Sequence, residues 1–337
     1  MTGQNIPLPV TVHHVHVHVT VDELLCVIFA LLTAASNAIA SVLQRKAAAQ
    51  VPADRSMHLS LIADLARRRV WLAGIGMVIV AAVAQAAALA TGPIALVQPI
   101  FIIELPITLV LATLTMRNRR TVHQLPWRAI IITTVALGAG LAFAAPSGAI
   151  ENAENTSWMI ALLVTAAFEA LLITTALGTR GEPRAALLGL AAACAYALTA
   201  ALLKNAMYDL SLGVVEFFTR WHIYATAVAG VGALFLLQNA LQAGSLVASQ
   251  PMLTVGDALI SIGYGVTLYS EVLRDGWWLV PQFIALAAII YGCVQIAKSP
   301  LASQAEPLVS ETPTTVQLRR EQAGRSRAGH HGSSLAD

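Results

Sequence analysis

The chain has 337 residues, 57% of them hydrophobic and only 11% charged, with a formal net charge of +2 and a mean hydropathy of +0.70. Soluble globular chains carry about 25% charged and 45–50% apolar residues, so this balance excludes an ordinary cytosolic enzyme, a nucleic-acid binder and a disordered protein. It predicts an all-α polytopic membrane protein, and the small net charge implies no polyanionic partner.

In chain order, residues 1–22 read as a tail. Met1 to Thr20 contains no Lys or Arg and no apolar core of signal-peptide length. It carries His13, His14, His16 and His18 in alternation with Val, which suits either a disordered tail, a start placed too early, or a metal-sensing segment. Beyond it, charges punctuate the chain into spans, because a bilayer core of about 30 Å takes roughly 20 apolar residues in a helix. Residues 24–44 form the first span, and the long uncharged run 70–103 is broken by Thr91-Gly92-Pro93. The helix after that break continues through Glu104 to Met116, and 129–145, 158–177 and 185–203 follow. The run 221–256 splits near Gln242-Ala243-Gly244, its second helix passes Asp257 to about Ser270, and 277–297 closes a set of nine. All six tryptophans, Trp71, Trp127, Trp158, Trp221, Trp277 and Trp278, fall at span starts, where aromatic belts lie.

Lys and Arg set the orientation. With the N-terminus outside and the C-terminus cytoplasmic in a cell inner membrane, 17 of the 20 fall on the cytoplasmic side. Only Lys204, Arg220 and Arg274 fall outside, with the acidic loop Glu151 to Glu154. The tail 299–337, rich in Ser, Pro, Gln and Glu, cannot bury a core and is expected to be disordered. Its basic patch at Arg319, Arg320, Arg325 and Arg327 is suited to solvent or to anionic headgroups. Cys26, Cys194 and Cys293 lie far apart in apolar runs and read as small hydrophobes, with neither a disulfide framework nor a zinc spacing.

Two segments repeat. Ala88-Leu89-Ala90-Thr91-Gly92-Pro93-Ile94-Ala95-Leu96-Val97-Gln98-Pro99 and Ala240-Leu241-Gln242-Ala243-Gly244-Ser245-Leu246-Val247-Ala248-Ser249-Gln250-Pro251 share A-L-x-x-G-x-x-x-x-x-Q-P at an offset of 152. Gly140 and Gly292 stand at the same offset, and Ala34 to Lys46 aligns with Ala192 to Lys204. Four helices, one linker helix and four more place the second copy in the membrane upside down. The expected organisation is an N-terminal tail (1–22), a first transmembrane repeat (23–146), a linker helix (157–178), a second, inverted repeat (184–298) and a tail (299–337). Many secondary transporters are built this way, with weakened helices meeting at mid-bilayer.

Charges at bilayer depth require a reason. Glu104, Glu169 and Asp257 are the carboxylates there, and Glu104 and Asp257 stand at near-equivalent places, 153 residues apart. Pro99, Pro106 and Pro251 are the expected helix breaks beside them, since proline removes a donor and frees a carbonyl one turn back. Glu104 and Asp257 either line a central cavity where one of them binds a proton or a cation, or are structural groups bonded to neighbouring helices. Glu169 is a weaker candidate in the linker helix. Gln98 and Gln250 suit substrate contact and helix bridging equally, as do Gln85, Gln238 and Asn239 nearby. His222, beside Trp221, reads as an interface anchor. Small-xxx-small spacings such as Ala34–Ala38 and Ser261–Gly265 are explained by close helix packing. No H-E-x-x-H, paired in-core aspartates or in-core Ser–His or Ser–Lys pair supports an intramembrane protease, and no P-loop supports an ATP-driven pump. The chain is therefore expected not to be an enzyme and to need no cofactor or resident metal.

Trp71 to Arg119, with its Ala88 to Pro99 segment, resembles the drug/metabolite transporter superfamily, as does Asn239 to Glu271. The likeness runs over most of residues 24–298. The nine-span layout is closer to the branch with the NIPA-type magnesium transporters than to the ten-span EamA-like exporters. Members often carry a Gly-Glu-Arg-type motif after this span. The second half keeps Glu271 in that place, within Tyr269-Ser270-Glu271, whereas the first half has Met116-Arg117-Asn118-Arg119. The combined expectation is a secondary transporter of a small molecule or ion by alternating access, proton-coupled or exchanging. The alternatives are a divalent-cation carrier, Mg²⁺ being the natural candidate, and a scaffold that transports nothing. The lipid bilayer is the expected partner, and a homodimer is left open.

Overall fold

The computed structural model describes residues 21–48, 69–115, 125–148, 152–244 and 246–299. Residues 1–20, with the His-rich segment, and residues 49–68, 116–124 and 300–337, with the basic patch, lie outside the described residues. The helices are α1 (Val21–Ala48), α2 (Arg69–Thr91), α3 (Ile94–Ile100), α4 (Glu104–Thr115), α5 (Trp127–Ala144), α6 (Asn155–Leu177), α7 (Glu182–Leu212), α8 (Val214–Thr219), α9 (His222–Ala243), α10 (Leu246–Tyr269) and α11 (Leu279–Ala297). Short 3₁₀ turns sit at Phe101–Ile103 and Gly276–Trp278. Among the described residues nine helical spans are long and apolar enough to cross a bilayer, α3 and α4 together making one of them, and the β-structure is limited to the single bridge Ser147–Val272. The protein is an all-α polytopic membrane protein.

The faces turned outward explain why. Met159, Ile160, Leu163, Val164 and Leu171 are exposed along α6, and Val228, Val231 and Phe235 along α9. In water such continuous apolar faces would be a liability; in lipid they are the ordinary solvent-facing surface. Between helices, small residues replace large ones. The buried side of α7 is mostly alanine, from Ala185 through Ala206. At Gly189 a side-chain carbon would come within 2.7 Å of the Ser249 carbonyl oxygen, so α7 and α10 approach backbone to backbone.

α1 packs along α2 and α4, and α7 packs along α9 and α10. These are corresponding helices of the two repeats. α5 packs on α11, and here the correspondence reaches single residues. A side chain at Gly140 would stand 3.2 Å from Ala285, and one at Gly292 would run into the Thr133 hydroxyl. Gly140 and Gly292 differ by 152 positions, and so do Thr133 and Ala285. The contact is thus reciprocal about a two-fold axis. Since the later residue of α5 meets the earlier residue of α11, the two helices are antiparallel. At the ends of this pair, Ser147 and Val272 exchange backbone hydrogen bonds of 3.0 and 2.8 Å.

Three expectations need correction. Pro251 does not break its helix: α10 runs unbroken through it. Pro251 lies in the second turn, where its missing N–H leaves one carbonyl, that of residue 247, without an intrahelical donor. The span 185–203 was drawn too short, because α7 continues to Leu212, about 46 Å at 1.5 Å per residue. Lys204 is therefore a buried helix residue and not a loop charge. Trp158 opens its span but belongs to no aromatic belt, being 1% exposed.

Candidate functional site

The third span explains how Glu104 reaches the interior. Pro99 lacks the N–H that would bond the Ala95 carbonyl, and Pro106 likewise leaves the Ile102 carbonyl. Between them α3 ends at Ile100, the backbone tightens into the 3₁₀ turn Phe101–Ile103, and α4 restarts at Glu104. Pro99 and Pro106 thus bracket a local tightening of one continuous span. Glu104 opens α4, its own N–H bonding back to the Phe101 and Ile102 carbonyls, so the span runs on through it.

Glu104 is residue 11 of the 22-residue span Ile94–Thr115, and Asp257 is residue 10 of the 22-residue span Ala248–Tyr269. The two carboxylates are close enough to feel each other's charge. Around them stand three groups, of which the sequence named only Ser261, and that for helix packing. The Asn37 side chain of α1 bonds the Glu104 carboxyl. Ser261 Oγ donates to Asp257 Oδ1 at 3.4 Å, one turn along α10. Tyr196 of α7 lies in the field of both carboxylates. Glu104, Asp257, Asn37 and Tyr196 are each half-buried. Helices of both repeats therefore contribute: α1 and α4 from the first, α7 and α10 from the second. Asn37, the one amide in the run between Glu23 and Gln44, and Ser261 at i+4 from Asp257 were the available signals.

The other candidates lie apart. Glu169 sits on α6 in the field of Cys194 and Tyr264, with its Oε1 buried and unbonded. Beside it a groove of about 440 Å³ opens between α6, α7 and α10, lined by Thr165, Phe168, Cys194 and Tyr264 among others. Thr165 and Tyr264 share a short hydrogen bond across it. This groove is lined by neither Glu104 nor Asp257. Gln98 is buried with its Nε2 unbonded, and Gln250 is half-buried. Among the described residues no cluster of three or more His, Cys, Asp and Glu side chains forms.

Two further polar clusters gather at the end of the bundle where α1 begins. In the first, Glu271 accepts hydrogen bonds from the backbone N–H groups of Ile94 (2.6 Å) and Ala95 (2.8 Å). Lys204 Nζ donates to the carbonyls of Gly92 (2.6 Å) and Leu89 (3.4 Å) and lies 5.4 Å from the Tyr269 ring centre. Burial pushes the Glu271 carboxyl above its ordinary range, opposed by the two N–H donors and by Lys204. In the second cluster, His222 Nδ1 lies 2.6 Å from Asp209 Oδ2, and Arg220 Nε lies 3.7 Å from Asp209 Oδ1. Asn205 Oδ1 accepts from Trp158 Nε1 (3.2 Å) and from the Ala153 N–H (3.3 Å). His222 is 3% exposed, so it is a core group and not an interface anchor.

No family model matches the chain, and no solved structure matches it. A protein of Corynebacterium glutamicum, described only as uncharacterised, is 24% identical over 281 residues, covering 82% of this chain and 96% of that protein.

Proposed function

We propose that this chain is a secondary transporter of a small solute that works by alternating access, with Glu104 and Asp257 as its coupling groups. One observation supports the reading most: two mid-span carboxylates at matched positions of the two repeats lie within range of each other's charge, among helices of both halves. A static bundle gains nothing from such a pair, because two like charges at bilayer depth repel. In a carrier the repulsion is useful, since the pair is relieved by taking up a proton or a cationic solute and is restored when that cargo leaves. Asn37, Ser261 and Tyr196 supply neutral partners that can reorient as the charge changes. The likeness to the drug/metabolite transporter superfamily fits this reading, as does the reciprocal packing of α5 and α11, which gives the halves an axis about which to rock. The surplus of Lys and Arg in the connecting segments supports an N-terminus outside and a C-terminus in the cytoplasm.

A screen of metabolites and divalent cations by thermal shift on purified protein identifies the ligand. Flux of that ligand is then followed in proteoliposomes under an imposed pH gradient. Asp257→Asn and Glu104→Gln should each cut gradient-driven flux by at least about tenfold, the scale of one lost charge-assisted contact. Unchanged flux in Asp257→Asn would remove the pair from the mechanism. A shift given by Mg²⁺ alone would favour the divalent-cation carrier, for which the two carboxylates, Asn37 and Ser261 are oxygen donors of the kind required.

A further inference from the structure

The break between α2 and α3 leaves unpaired backbone groups on both sides: the last carbonyls of one helix and the first N–H groups of the next. Among the described residues the partner of the Ile94 and Ala95 N–H groups is Glu271, 177 and 176 residues away. The carbonyls of Leu89 and Gly92 are met by Lys204, 115 and 112 residues away. A carboxylate thus sits on the positive end of one helix and an ammonium on the negative end of the other. Both come from the second repeat, and both are nearly sealed, at 3% and 7% exposure.

The supporting residues are shaped for this task. α10 stops at Tyr269, Ser270 takes a positive φ of 53°, and the Glu271 N–H turns back to the Gly265 carbonyl at 3.0 Å. Gly265 has no side chain because the Glu271 carboxylate occupies that space. Tyr269 is fully buried, flanks Lys204, and donates its hydroxyl to the Ala201 carbonyl at 2.7 Å. Cys26 lies directly behind, fully buried, with its Sγ where a Gly92 side chain would be.

We infer that Lys204 and Glu271, held by Tyr269 and Gly265, form a latch that shuts the α1-start end of the bundle and seals Cys26 behind it. The latch rests on the transport reading above, in which the two halves separate at alternate ends. Each of its polar contacts to the first repeat crosses between the halves, so separation at this end must release all of them together. The freed backbone groups then require water, which links opening to hydration of the passage.

The test uses purified full-length protein carrying Cys194→Ala and Cys293→Ala, so that Cys26 is the remaining thiol. The rate of its modification by a charged, membrane-impermeant maleimide is measured in detergent. Glu271→Gln and Lys204→Met should each speed modification about tenfold or more, since each weakens charge-assisted bonds on one side of the break. Gly265→Ala should do the same without altering any charge, by displacing the Glu271 carboxylate. Size exclusion and tryptophan-fluorescence melting establish which variants are folded; where one is not, Glu271→Asp takes its place. Unchanged modification rates in the folded variants would overturn the latch. Faster modification in a protein that shows no solute flux would keep the latch and sink the transport reading. Unchanged modification with intact, Asp257-dependent flux would do the reverse.

Discussion

Asn205 shows how much depends on single polar residues in this bundle. Its side-chain oxygen serves two buried donors, Trp158 Nε1 and the Ala153 N–H. Asn205→Leu should lower thermal stability by about 2–4 kcal/mol, because each stranded donor costs about 1–3 kcal/mol and part is recovered by relaxation. A melting curve within a degree of the wild type would contradict this. Asn205 and Lys204 were hard to read for one reason: a lysine in an apolar run looks like the end of a span, so the helix was stopped at residue 203. The structure continues it by more than two turns, because tertiary partners satisfy Lys204, Asn205 and Asp209 inside the protein. Glu104 and Asp257, by contrast, were legible, since at mid-span nothing but function or a strong partner justifies a carboxylate. Their neighbours Asn37 and Tyr196 were harder to read, because the approach of α1 to α4 is a tertiary fact that no local pattern encodes.

At the level of elements, the two proline-bearing spans behave differently although their motifs match. Pro99 and Pro106 bracket a 3₁₀ turn, while Pro251 is absorbed into a continuous helix. The first span has two prolines seven residues apart and the second has one, so only the first loses two carbonyl partners within two turns. Replacing both Pro99 and Pro106 by alanine should extend regular helix through residues 101–103 and turn Glu104 away from Asp257, lowering flux tenfold or more. Pro251→Ala should leave flux within about threefold of the wild type, because that helix is already whole. Equal losses in the two variants would show the interruption to be incidental. Helix packing offers a second check. Gly292→Ala should destabilise the α5–α11 pair through the Thr133 hydroxyl, and adding Thr133→Ala should recover part of the loss. Strict additivity would mean that the two positions do not share a contact.

For the whole molecule, the number of spans and the duplicated motif were both readable, because hydropathy and a proline-marked break survive in sequence even where identity does not. The glycine contacts of α5 and α11 fall at the same offset as the duplicated motif. Single cysteines introduced at Thr91 and Ala243, in a chain with Cys26, Cys194 and Cys293 replaced, should be modified from opposite faces of sealed vesicles. Modification from one face would remove the inverted relation and the carrier mechanism built on it. The α6–α7–α10 groove was not foreseen, since it arises where a linker helix that belongs to neither repeat leans against the second one.

The crossing bonds at the α2–α3 break also bear on biosynthesis. Ile94 leaves the ribosome long before Glu271, which is 177 residues downstream. Until translation delivers that glutamate and Lys204, the first half has no means of finishing its own helix ends. A nascent chain released after residue 200 should therefore be inserted yet remain sensitive to protease at Thr91–Pro93, and supplying the missing half in trans should restore resistance.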